Sequence, residues 1–391
     1  MGAIKRWLRL WSGQWEDLKL IQQNKKVEQA EESVLIMRLD AIGDFILFLD
    51  SARAYRDIFP DKSLTLLCNK ACIPFAEESG YFDACITPDE LSGRSFELLI
   101  QTVYAKTREI DVIAASIPAV RKISIRPDNS KVNLSRALTL QRIRKACDSI
   151  YDELIDTGKE RLMELDRNAA FIRGLGKKDF RSGVPVLKRH NSERSAGGNT
   201  GSLIPERAYY IVFPGASSRN KMWAIEKYAG VAARIYEETG FHCMVCGAPG
   251  EEWIFEELLK QLRAKGRAQI PVENRIGKTS LPELAELIRG ASFLIGNDTS
   301  GIHIATAVGT NCVCIAGDFV YGRFIPYHTE TAAEKPVPVV VHAGKHCAGC
   351  AYRRKTLRCL CSVLVKKQFL CISEITEGQV TQVLSDGGFY E

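Results

Sequence analysis

Residues 293–318 have the sequence FLIGNDTSGIHIATAVGTNCVCIAGD, which joins a short apolar run, a glycine-rich turn, a helical pattern and a second apolar run. Apolar side chains from Ile302 to Val308 follow helical spacing, and Gly309 ends that pattern. This order predicts a strand, a helix and a second, parallel strand. In an open parallel sheet, ligands bind beyond the carboxyl ends of the strands, where the N-terminus of a helix attracts anions. We therefore expect residues 296–301 to bind a diphosphate.

The composition of the chain indicates a globular protein. It has 391 residues, of which 46% are hydrophobic and 26% charged, and this length favours two domains. Its apolar runs are shorter than the roughly 18 residues that a membrane-spanning helix needs. The start of the sequence lacks a secretory signal pattern, so we expect a cytoplasmic protein. The net charge of +6, without an aromatic and basic RNA-binding motif, favours anionic ligands or lipid head groups over nucleic acid.

Strand and helix patterns alternate through both halves of the chain. Residues 34–39 form the first predicted strand, which leads through the turn DAIGD into a helical pattern from Phe45 to Phe59. A second series of strands begins at Tyr209, and its members again alternate with helical patterns. Such alternation predicts an α/β fold with parallel, doubly wound sheets.

Changes in composition along the chain predict the domain boundaries. We assign residues 1–30 to an amphipathic helix, 31–187 to a first α/β domain, 188–208 to a polar linker, 209–372 to a second α/β domain with a cysteine-rich segment at 346–371, and 373–391 to a C-terminal helix and tail.

The N-terminal helix has an apolar face that contains three tryptophans. Its members recur at helical spacing, with lysine and arginine beside them: Ile4, Trp7, Leu8, Trp11, Trp15 and Leu18. Tryptophan and basic side chains favour an anionic membrane surface. The alternative is a helix that packs on the body of the protein or on another subunit, and the sequence leaves both open.

Three segments together resemble glycosyltransferase family 9, the heptosyltransferases of lipopolysaccharide synthesis. The segments are RLDAIGDFILFLDSARAYRDIFP at 38–60, FPGASSRNKMWAIEKYAGVAARI at 213–235 and IGNDTSGIHIATAVGTNCVCIAG at 295–317. The resemblance implies the GT-B architecture, in which two Rossmann-like domains face a cleft. The C-terminal domain would hold the nucleotide sugar and the N-terminal domain the acceptor.

The resemblance also implies the reaction. It is an inverting transfer that needs no cofactor, from ADP-L-glycero-D-manno-heptose to a lipid A–inner core acceptor. Such an acceptor would place the enzyme at the inner face of the cytoplasmic membrane, as a peripheral protein. The sequence contains no Asp-x-Asp pair of the kind that binds a metal diphosphate, so a cation and backbone N–H groups must meet the leaving charge.

Two residues are the predicted catalytic groups. Asp44 matches the Gly-Asp motif of the family and would accept the proton of the acceptor hydroxyl. Its alternative role is an N-cap or first-turn residue of the following helix. Lys221 matches the lysine that precedes the family's tryptophan, and its alternative is a solvent-facing loop lysine. By the same resemblance Arg38, Asp40 and Gly43 are assigned to acceptor binding.

The resemblance assigns the donor to two segments. The residues assigned to donor binding are Gly215, Ser217, Ser218, Lys221, Asn297, Asp298, Thr299, Ser300, Gly301 and His303. A carboxylate beside a diphosphate would repel it, so Asp298 is expected to cap its helix or to accept hydrogen bonds from sugar hydroxyls. His303 either donates to a phosphate or is a buried histidine with its bonds satisfied.

Two other functions use the same architecture. A non-hydrolysing nucleotide-sugar epimerase also closes two such domains over its substrate, and a non-catalytic protein would bind a nucleotide sugar without changing it. A dehydrogenase is disfavoured because no G-x-G-x-x-G follows a strand.

The last five cysteines lie close together in HCAGCAYRRKTLRCLCSVLVKKQFLC, residues 346–371. Cys347 and Cys350 have the spacing with which two thiolates reach one ion, and Cys371 with Cys361, or with Cys359 in its place, would complete a tetrahedral set. The resemblance adds that related autotransporter heptosyltransferases hold iron in such a cluster. A structural zinc or iron is thus predicted, and the alternative is a group of reduced thiols.

Overall fold

The computed structural model describes residues 18–30, 33–127, 145–158, 162–189, 204–331, 336–344 and 368–390. Contacts divide the chain into two units. The first contains residues 1–41, 51–160 and 167–180, and the second contains residues 42–50, 161–166 and 181–391. Each unit is built on one six-stranded sheet.

All strands of the first sheet run parallel, in the order β3-β2-β1-β4-β5-β6. They are β1 (Ser33–Arg38), β2 (Ser63–Cys68), β3 (Ala84–Ile86), β4 (Phe96–Gln101), β5 (Ala119–Ile125) and β6 (Glu153–Ile155). Every residue of β1 is buried, as expected for a central strand with helices on both faces. The strand order reverses between β1 and β4, so the switch point of the first sheet lies between them.

Five helices accompany this sheet among the residues that the structure describes. They are α1 (Ile42–Ala52), α2 (Ala54–Ile58), α3 (Ile73–Ser79), α4 (Arg108–Ser116) and α5 (Glu164–Gly174). The helix predicted from Phe45 to Phe59 begins earlier and is interrupted at Arg53. By its contacts, α1 up to Asp50 groups with the second unit, although it directly follows a strand of the first.

The second sheet is also parallel, with the order β12-β11-β10-β7-β8-β9. Its strands are β7 (Tyr209–Phe213), β8 (His242–Val245), β9 (Val272–Asn274), β10 (Leu294–Asn297), β11 (Cys312–Ile315) and β12 (Val339–Val341). The helices that accompany it are α6 (Ile225–Thr239), α7 (Glu252–Ala264), α8 (Leu281–Arg289), α9 (Ser300–Val308), α10 (Leu370–Ser373) and α11 (Glu377–Asp386).

These two sheets confirm the predicted fold class, an α/β protein of GT-B architecture. The segment 293–318 forms the predicted unit of strand, helix and parallel strand, β10–α9–β11. Gly309 ends α9 with a φ of 87°, a value that glycine adopts without strain. Ser280 and Glu283 form a capping box at the start of α8, in which the Ser280 side chain accepts from Glu283 N.

Aromatic and aliphatic side chains fill the interior of the second unit. Phe293 lies at its centre, with its ring stacked on Tyr210 at 5.3 Å and edge-on to Phe389 at 5.7 Å. The C-terminal helix α11 adds Val380 and Leu384 to the same core. The end of the chain is therefore part of the second unit. In the described part of the chain, every helix is too short or too polar to span a bilayer.

Candidate active site

The carboxyl edge of the second sheet is held together by Asn297, the last residue of β10. Its side-chain amide donates to Pro214 O at 2.5 Å and to Gly215 O at 3.3 Å, and its Oδ1 accepts from Trp223 N at 3.1 Å. The residue is 1% exposed. Asn297 is predicted to bind the donor. In the structure its amide side chain is hydrogen-bonded to the loop after β7 and holds that loop in place.

The loop after β7 places Lys221 at this edge. A 3-10 turn spans Arg219–Lys221, with Ser218 as its N-cap residue, and Lys221 Nζ donates to Ser217 Oγ at 3.1 Å. The ammonium group also lies 5.5 Å from the centre of the Phe319 ring. The predicted donor residues Ser217 and Lys221 are thus in direct contact.

Trp223 explains why a tryptophan follows Lys221 so closely. Its ring is fully buried, and Nε1 donates to Ile375 O at 3.0 Å. Nearby, Lys227 Nζ donates to Ser373 O and to Ile375 O at 2.6 Å each. The loop that carries Lys221 is thereby fixed to residues 373–375.

Two glycines of the predicted site serve close packing. A Cβ atom at Gly301 would lie 2.8 Å from the Phe213 ring, and one at Gly215 would overlap the Glu251 carboxylate. Gly301 thus lets the first turn of α9 approach the end of β7. Glu251, whose carboxylate accepts from Ala248 N at 2.8 Å, stands beside Gly215 after β8.

The N-terminus of α9 is open in the described structure. Thr299 is its N-cap residue, but its side chain makes no capping bond, and its hydroxyl oxygen is buried without a hydrogen-bond partner among the described residues. Backbone N–H groups at the start of Ser300–Val308 are therefore available to an anion. This is the position at which the sequence predicts a diphosphate.

Asp298 is the residue on which the charges of the site act together. Burial raises the pKa of its carboxyl group to about 6, an effect that the positive charge of Lys221 opposes. The negative charge of Asp44 raises this pKa further, and the positive charge of Arg323 lowers it. Two carboxylates and two cations therefore meet at the start of α9.

Asp44 reaches this place because α1 and α9 approach each other closely. A Cβ atom at Gly43 would lie 2.9 Å from His303 Cδ2 and 3.6 Å from the Ser300 Cα. Asp44 follows in the first turn of α1, where the helix dipole favours a carboxylate. The N-cap residue of this helix is Ala41, so Asp44 is a first-turn residue and does not cap the helix.

His303 is enclosed by neighbours on several sides. It is 3% exposed, its Nδ1 lies 2.9 Å from the Tyr327 hydroxyl, and its Nε2 lies 3.8 Å from Asp298 Oδ1. Burial lowers the pKa of the imidazole to about 4, so the ring is neutral at physiological pH. His303 therefore acts through a neutral N–H group, without a positive charge.

Three residues of the site were missed by the sequence analysis: Glu251, Arg323 and Tyr327. Arg323 and Tyr327 lie in the loop after β11, and Arg323 forms an ion pair with buried Glu164 at 3.8 Å. They belong to no recognised motif, and tertiary structure alone brings them to Asp298 and His303. A signal was present, since loops after parallel strands share the ligand edge of a sheet.

The predicted acceptor residues Arg38 and Asp40 lie in the first unit. Arg38 is 1% exposed and ends β1; its Nε and Nη2 bind the two oxygens of Asp40 at 2.9 and 2.8 Å. Its Nη1 donates to Thr102 O at 3.2 Å and to Asn168 Oδ1 at 3.4 Å. The guanidinium fills the switch point between β1 and β4, so Asp40 is the more accessible member of the pair.

The predicted metal site falls mostly outside the described residues. Cys347, Cys350, Cys359 and Cys361 belong to the undescribed range 345–367, and Cys371 is buried in α10. Among the residues that the structure describes, no group of three or more His, Cys, Asp or Glu side chains is arranged to hold a metal. The zinc or iron site stays a prediction.

The sequence model described as glycosyltransferase family 9 (heptosyltransferase) matches residues 160–353. Over these residues the chain is similar to glycosyltransferase family 9. It is 22% identical over 289 residues to lipopolysaccharide heptosyltransferase 3 of Escherichia coli (strain K12), a match that covers 72% of this chain and 82% of the relative. The resemblance drawn from the three segments is thus confirmed, and the chain is a glycosyltransferase.

Solved structures agree with the fold of this glycosyltransferase. A family 9 glycosyltransferase from Veillonella parvula superposes with a TM-score of 0.65 at 17% identity, covering 94% of this chain and 99% of that one. The E. coli heptosyltransferase WaaC with ADP-2-deoxy-2-fluoro heptose gives 0.55 at 14% identity, covering 91% and 99%. The iron-containing dodecameric glycosyltransferase TibC from E. coli gives 0.55 at 17% identity, covering 92% and 77%.

Proposed function

We propose that this glycosyltransferase transfers a heptose from ADP-heptose to a lipopolysaccharide inner-core sugar or a related glycan acceptor, with inversion at the anomeric carbon. Proteins similar to it support this choice: one is a lipopolysaccharide heptosyltransferase, and one binds an ADP-heptose analogue. The observation that carries the proposal is the convergence of Asp44, Lys221 and Arg323 on Asp298.

In the proposed step, the acceptor hydroxyl oxygen forms a bond to the anomeric carbon while its proton passes to the Asp44 carboxylate. The bond from that carbon to the β-phosphate oxygen breaks, and its electron pair leaves with ADP. One carboxylate is enough for this single displacement. Asp44 suits the role because it lies in the first turn of α1, where the helix dipole favours a carboxylate.

The leaving diphosphate gains charge as the bond breaks, and positive groups must be in place beforehand. Lys221, Arg323 and the open N-terminus of α9 supply them, with backbone N–H groups of Thr299, Ser300 and Gly301 facing the phosphates. Arg323 is kept in position by its ion pair with Glu164. In this arrangement the diphosphate is bound by groups that carry positive charge.

Asp298 then binds the hydroxyl groups of the transferred sugar. A carboxylate accepts hydrogen bonds from hydroxyl groups, and the two nearby cations offset its repulsion of the diphosphate. The remaining donor residues support the site indirectly. Ser217 and Ser218 shape the loop that bears Lys221, and Asn297 and Gly215 hold the loop after β7 in place. Arg38, Asp40 and Gly43 remain the proposed acceptor residues, with Asp40 the member of the Arg38 pair that contacts the acceptor.

A membrane surface is the proposed location, because the proposed acceptor is lipid-anchored. The helix predicted for residues 1–30 lies mostly outside the described residues, which include helical residues 18–22. Ile21 is buried and Asn24 donates to Ile150 O at 3.1 Å, so a truncation should end at residue 17. We expect full-length protein, and not the truncated one, to float with vesicles that contain anionic lipid.

Product analysis tests the proposed reaction. Purified enzyme is incubated with ADP-heptose, with and without an inner-core oligosaccharide, and ADP and sugar products are separated. We expect ADP release that depends on acceptor, a glycan enlarged by one heptose, and no equal reaction with GDP- or UDP-linked sugars. A changed nucleotide sugar without ADP release would identify an epimerase, and binding without any product would identify a non-catalytic protein.

A further inference from the structure

Tyr327 contacts His303 from the loop after β11. We propose that Tyr327 is a positioning residue: its hydroxyl donates to His303 Nδ1 and so fixes the imidazole with its proton on Nε2, directed at Asp298. The part of this inference that concerns catalysis rests on the proposed transfer function, whereas the protonated nitrogen of His303 can be measured without any reaction.

The geometry of the pair is well defined. The Tyr327 hydroxyl lies 2.9 Å from His303 Nδ1, and the two rings are stacked with an angle of 19° and centroids 5.9 Å apart. Gly43 packs against one side of the imidazole so closely that a Cβ atom added there would lie 2.9 Å from its Cδ2. Phe324 meets another side of the ring, edge-on, at 6.5 Å between centroids.

The surroundings of Nε2 favour the same tautomer as a hydroxyl that donates to Nδ1. A neutral imidazole carries one proton, on either Nδ1 or Nε2. Nε2 lies 3.8 Å from Asp298 Oδ1, where an N–H group is attracted to the carboxylate and a lone pair is repelled. The proton therefore belongs on Nε2, which leaves Nδ1 as the acceptor of the Tyr327 hydroxyl.

Both partners keep the required protonation state. Burial lowers the pKa of His303 to about 4 and raises that of Tyr327 well above its ordinary value. The imidazole is therefore neutral and the phenol protonated across the physiological range. The donor that faces Asp298 adds no charge to a site where Lys221 and Arg323 are already positive.

Apolar contacts hold the Tyr327 ring independently of its hydroxyl. Leu47 of α1 packs with Met163 and Leu165, and Phe324 and Tyr327 lie against this cluster. A phenylalanine at position 327 would keep these contacts and lose the hydroxyl alone. The substitution Tyr327→Phe therefore removes the donor to Nδ1 with little change in packing.

In the proposed reaction, a fixed His303 imidazole would act on the Asp298 carboxylate. The separation of 3.8 Å from Nε2 exceeds a hydrogen bond, but such contacts in ligand-free sites often shorten when substrate binds. A fixed Nε2–H group would then orient the Asp298 carboxylate toward the hydroxyls of the transferred sugar. Tyr327 should accordingly affect recognition of the sugar and leave recognition of ADP unchanged.

Nitrogen NMR on the full-length protein labelled with ¹⁵N-histidine tests the tautomer directly. The chain has six histidines, and a His303→Gln variant identifies the signals of His303. Between about pH 6 and 8 we expect Nε2 to be protonated and Nδ1 to be bare. In Tyr327→Phe, part of the population should shift its proton to Nδ1. A proton on Nδ1 in the wild type would overturn the inference, whether or not the variant folds.

Binding and kinetics test the link to substrate. One hydrogen bond between neutral groups corresponds to about a 2- to 10-fold effect, so Tyr327→Phe should raise KM for ADP-heptose by that factor and leave the Kd of ADP unchanged. Tyr321→Phe is the matched control, since Tyr321 lies in the same loop and packs on His342 at 4.6 Å. Equal weakening of ADP and ADP-heptose would reduce Tyr327 to a packing residue. If the wild type shows the expected tautomer but transfers no heptose, the proposed function fails and the positioning of His303 stands.

Discussion

Asp298 combines a high energetic cost of burial with a position in the proposed donor site. Burial raises the pKa of its carboxyl group from the ordinary 3.8 to about 6, so the charged form is disfavoured there. Its side chain is 14% exposed, and Lys221 and Arg323 only partly offset the burial. A residue that destabilises the fold in this way is typical of an active site.

This cost predicts a pH-dependent gain in stability for Asp298→Asn. Between pH 3.8 and about 6 the native protein binds more protons at this residue than the unfolded chain, so its free energy of unfolding falls as pH rises and stays reduced above that range. Asn cannot ionise, and the variant should be more stable by about 1–3 kcal/mol at pH 7.5 but not at pH 3.5. Urea unfolding at both pH values measures the difference. The control Asp61→Asn, at an exposed position, should show no such difference in stability from the wild type. A wild type that is as stable as Asp298→Asn at pH 7.5, or more stable, would contradict the assignment.

Replacing the proposed base tests its chemistry. Asp44→Asn keeps the size of the side chain and removes its ability to take a proton, so kcat should fall by about 10²–10⁴-fold. The Kd of ADP should stay within about twofold of the wild type. Steady-state kinetics and calorimetry measure the two quantities. Near-normal turnover would leave Asp44 with the role of a first-turn residue.

Lys221→Ala should affect both binding and rate, because its ammonium group is proposed to neutralise the diphosphate before and during its departure. We expect ADP to bind at least about 10-fold more weakly and kcat to fall by a similar factor or more. Lys278→Ala, an exposed lysine in the same unit, is the control. If ADP affinity and turnover both survive in Lys221→Ala, the lysine is a loop residue.

At the level of single residues, the sequence predicted those that lie in recognisable motifs. Asp44 and Lys221 follow buried strands in segments of characteristic composition, and the structure brings both to Asp298. Arg323 and Tyr327 were missed because the chain alone does not show which loops meet. Asn297 was identified, but its bonds to Pro214 and Trp223 depend on the packing of β10 against β7, which no local pattern contains.

Among the structural elements, the approach of α1 to α9 has the clearest functional effect. Gly43 has helical backbone geometry, so the absence of a side chain serves the contact with His303 and not a special turn. The same contact sets the distance of Asp44 from Asp298. Two helix N-termini, each able to stabilise negative charge, are thus directed to one place.

Gly43→Ala tests this contact. In a helix, Ala is usually more stable than Gly by about 0.5–1 kcal/mol, but here the new Cβ would lie 2.9 Å from His303 Cδ2. We expect a lower melting temperature and at least about a 10-fold loss in kcat, since small displacements of a base are costly. Gly378→Ala, at an exposed position of α11 where an added Cβ would lie 3.9 Å from Thr376 Oγ1, should be neutral or stabilising. An active and more stable Gly43→Ala protein would show that the two helices are free to separate.

Strong periodic patterns predicted the elements well, and short or marginal patterns did not. The helix Ile225–Thr239 follows an amphipathic pattern, and Gly240 ends it with a φ of 69°. The short strand Val272–Asn274 and the helix Arg108–Ser116 follow no strong pattern. In α4, burial of Ile110 and Ala114 against the first sheet stabilises a segment whose local signal is weak.

At the scale of the whole molecule, the cysteine-rich segment yields a prediction about composition. The thiols of Cys347 and Cys350 and their partners should hold about one zinc or iron ion per chain, as the spacing predicts. The iron of TibC, a structural neighbour, belongs to a protein of the same fold. Elemental analysis of protein purified without chelator or metal-affinity resin measures the ion. Cys347→Ser should lose it and melt at a lower temperature, and Cys85→Ser in the first unit should not. A stable, metal-free wild type would reject the site.

The hydrogen bond from Trp223 to Ile375 joins two segments that the ribosome synthesises at different times, the second long after the first. While the chain is being synthesised, the loop that bears Lys221 emerges early, but the carbonyls at residues 373 and 375 that fix it emerge near the end. A chain shortened by a nonsense codon or by a protease before residue 373 would retain every proposed catalytic side chain and still lack the support for Lys221. We therefore expect activity to be among the last properties that a nascent chain acquires, and incomplete chains to remain inactive.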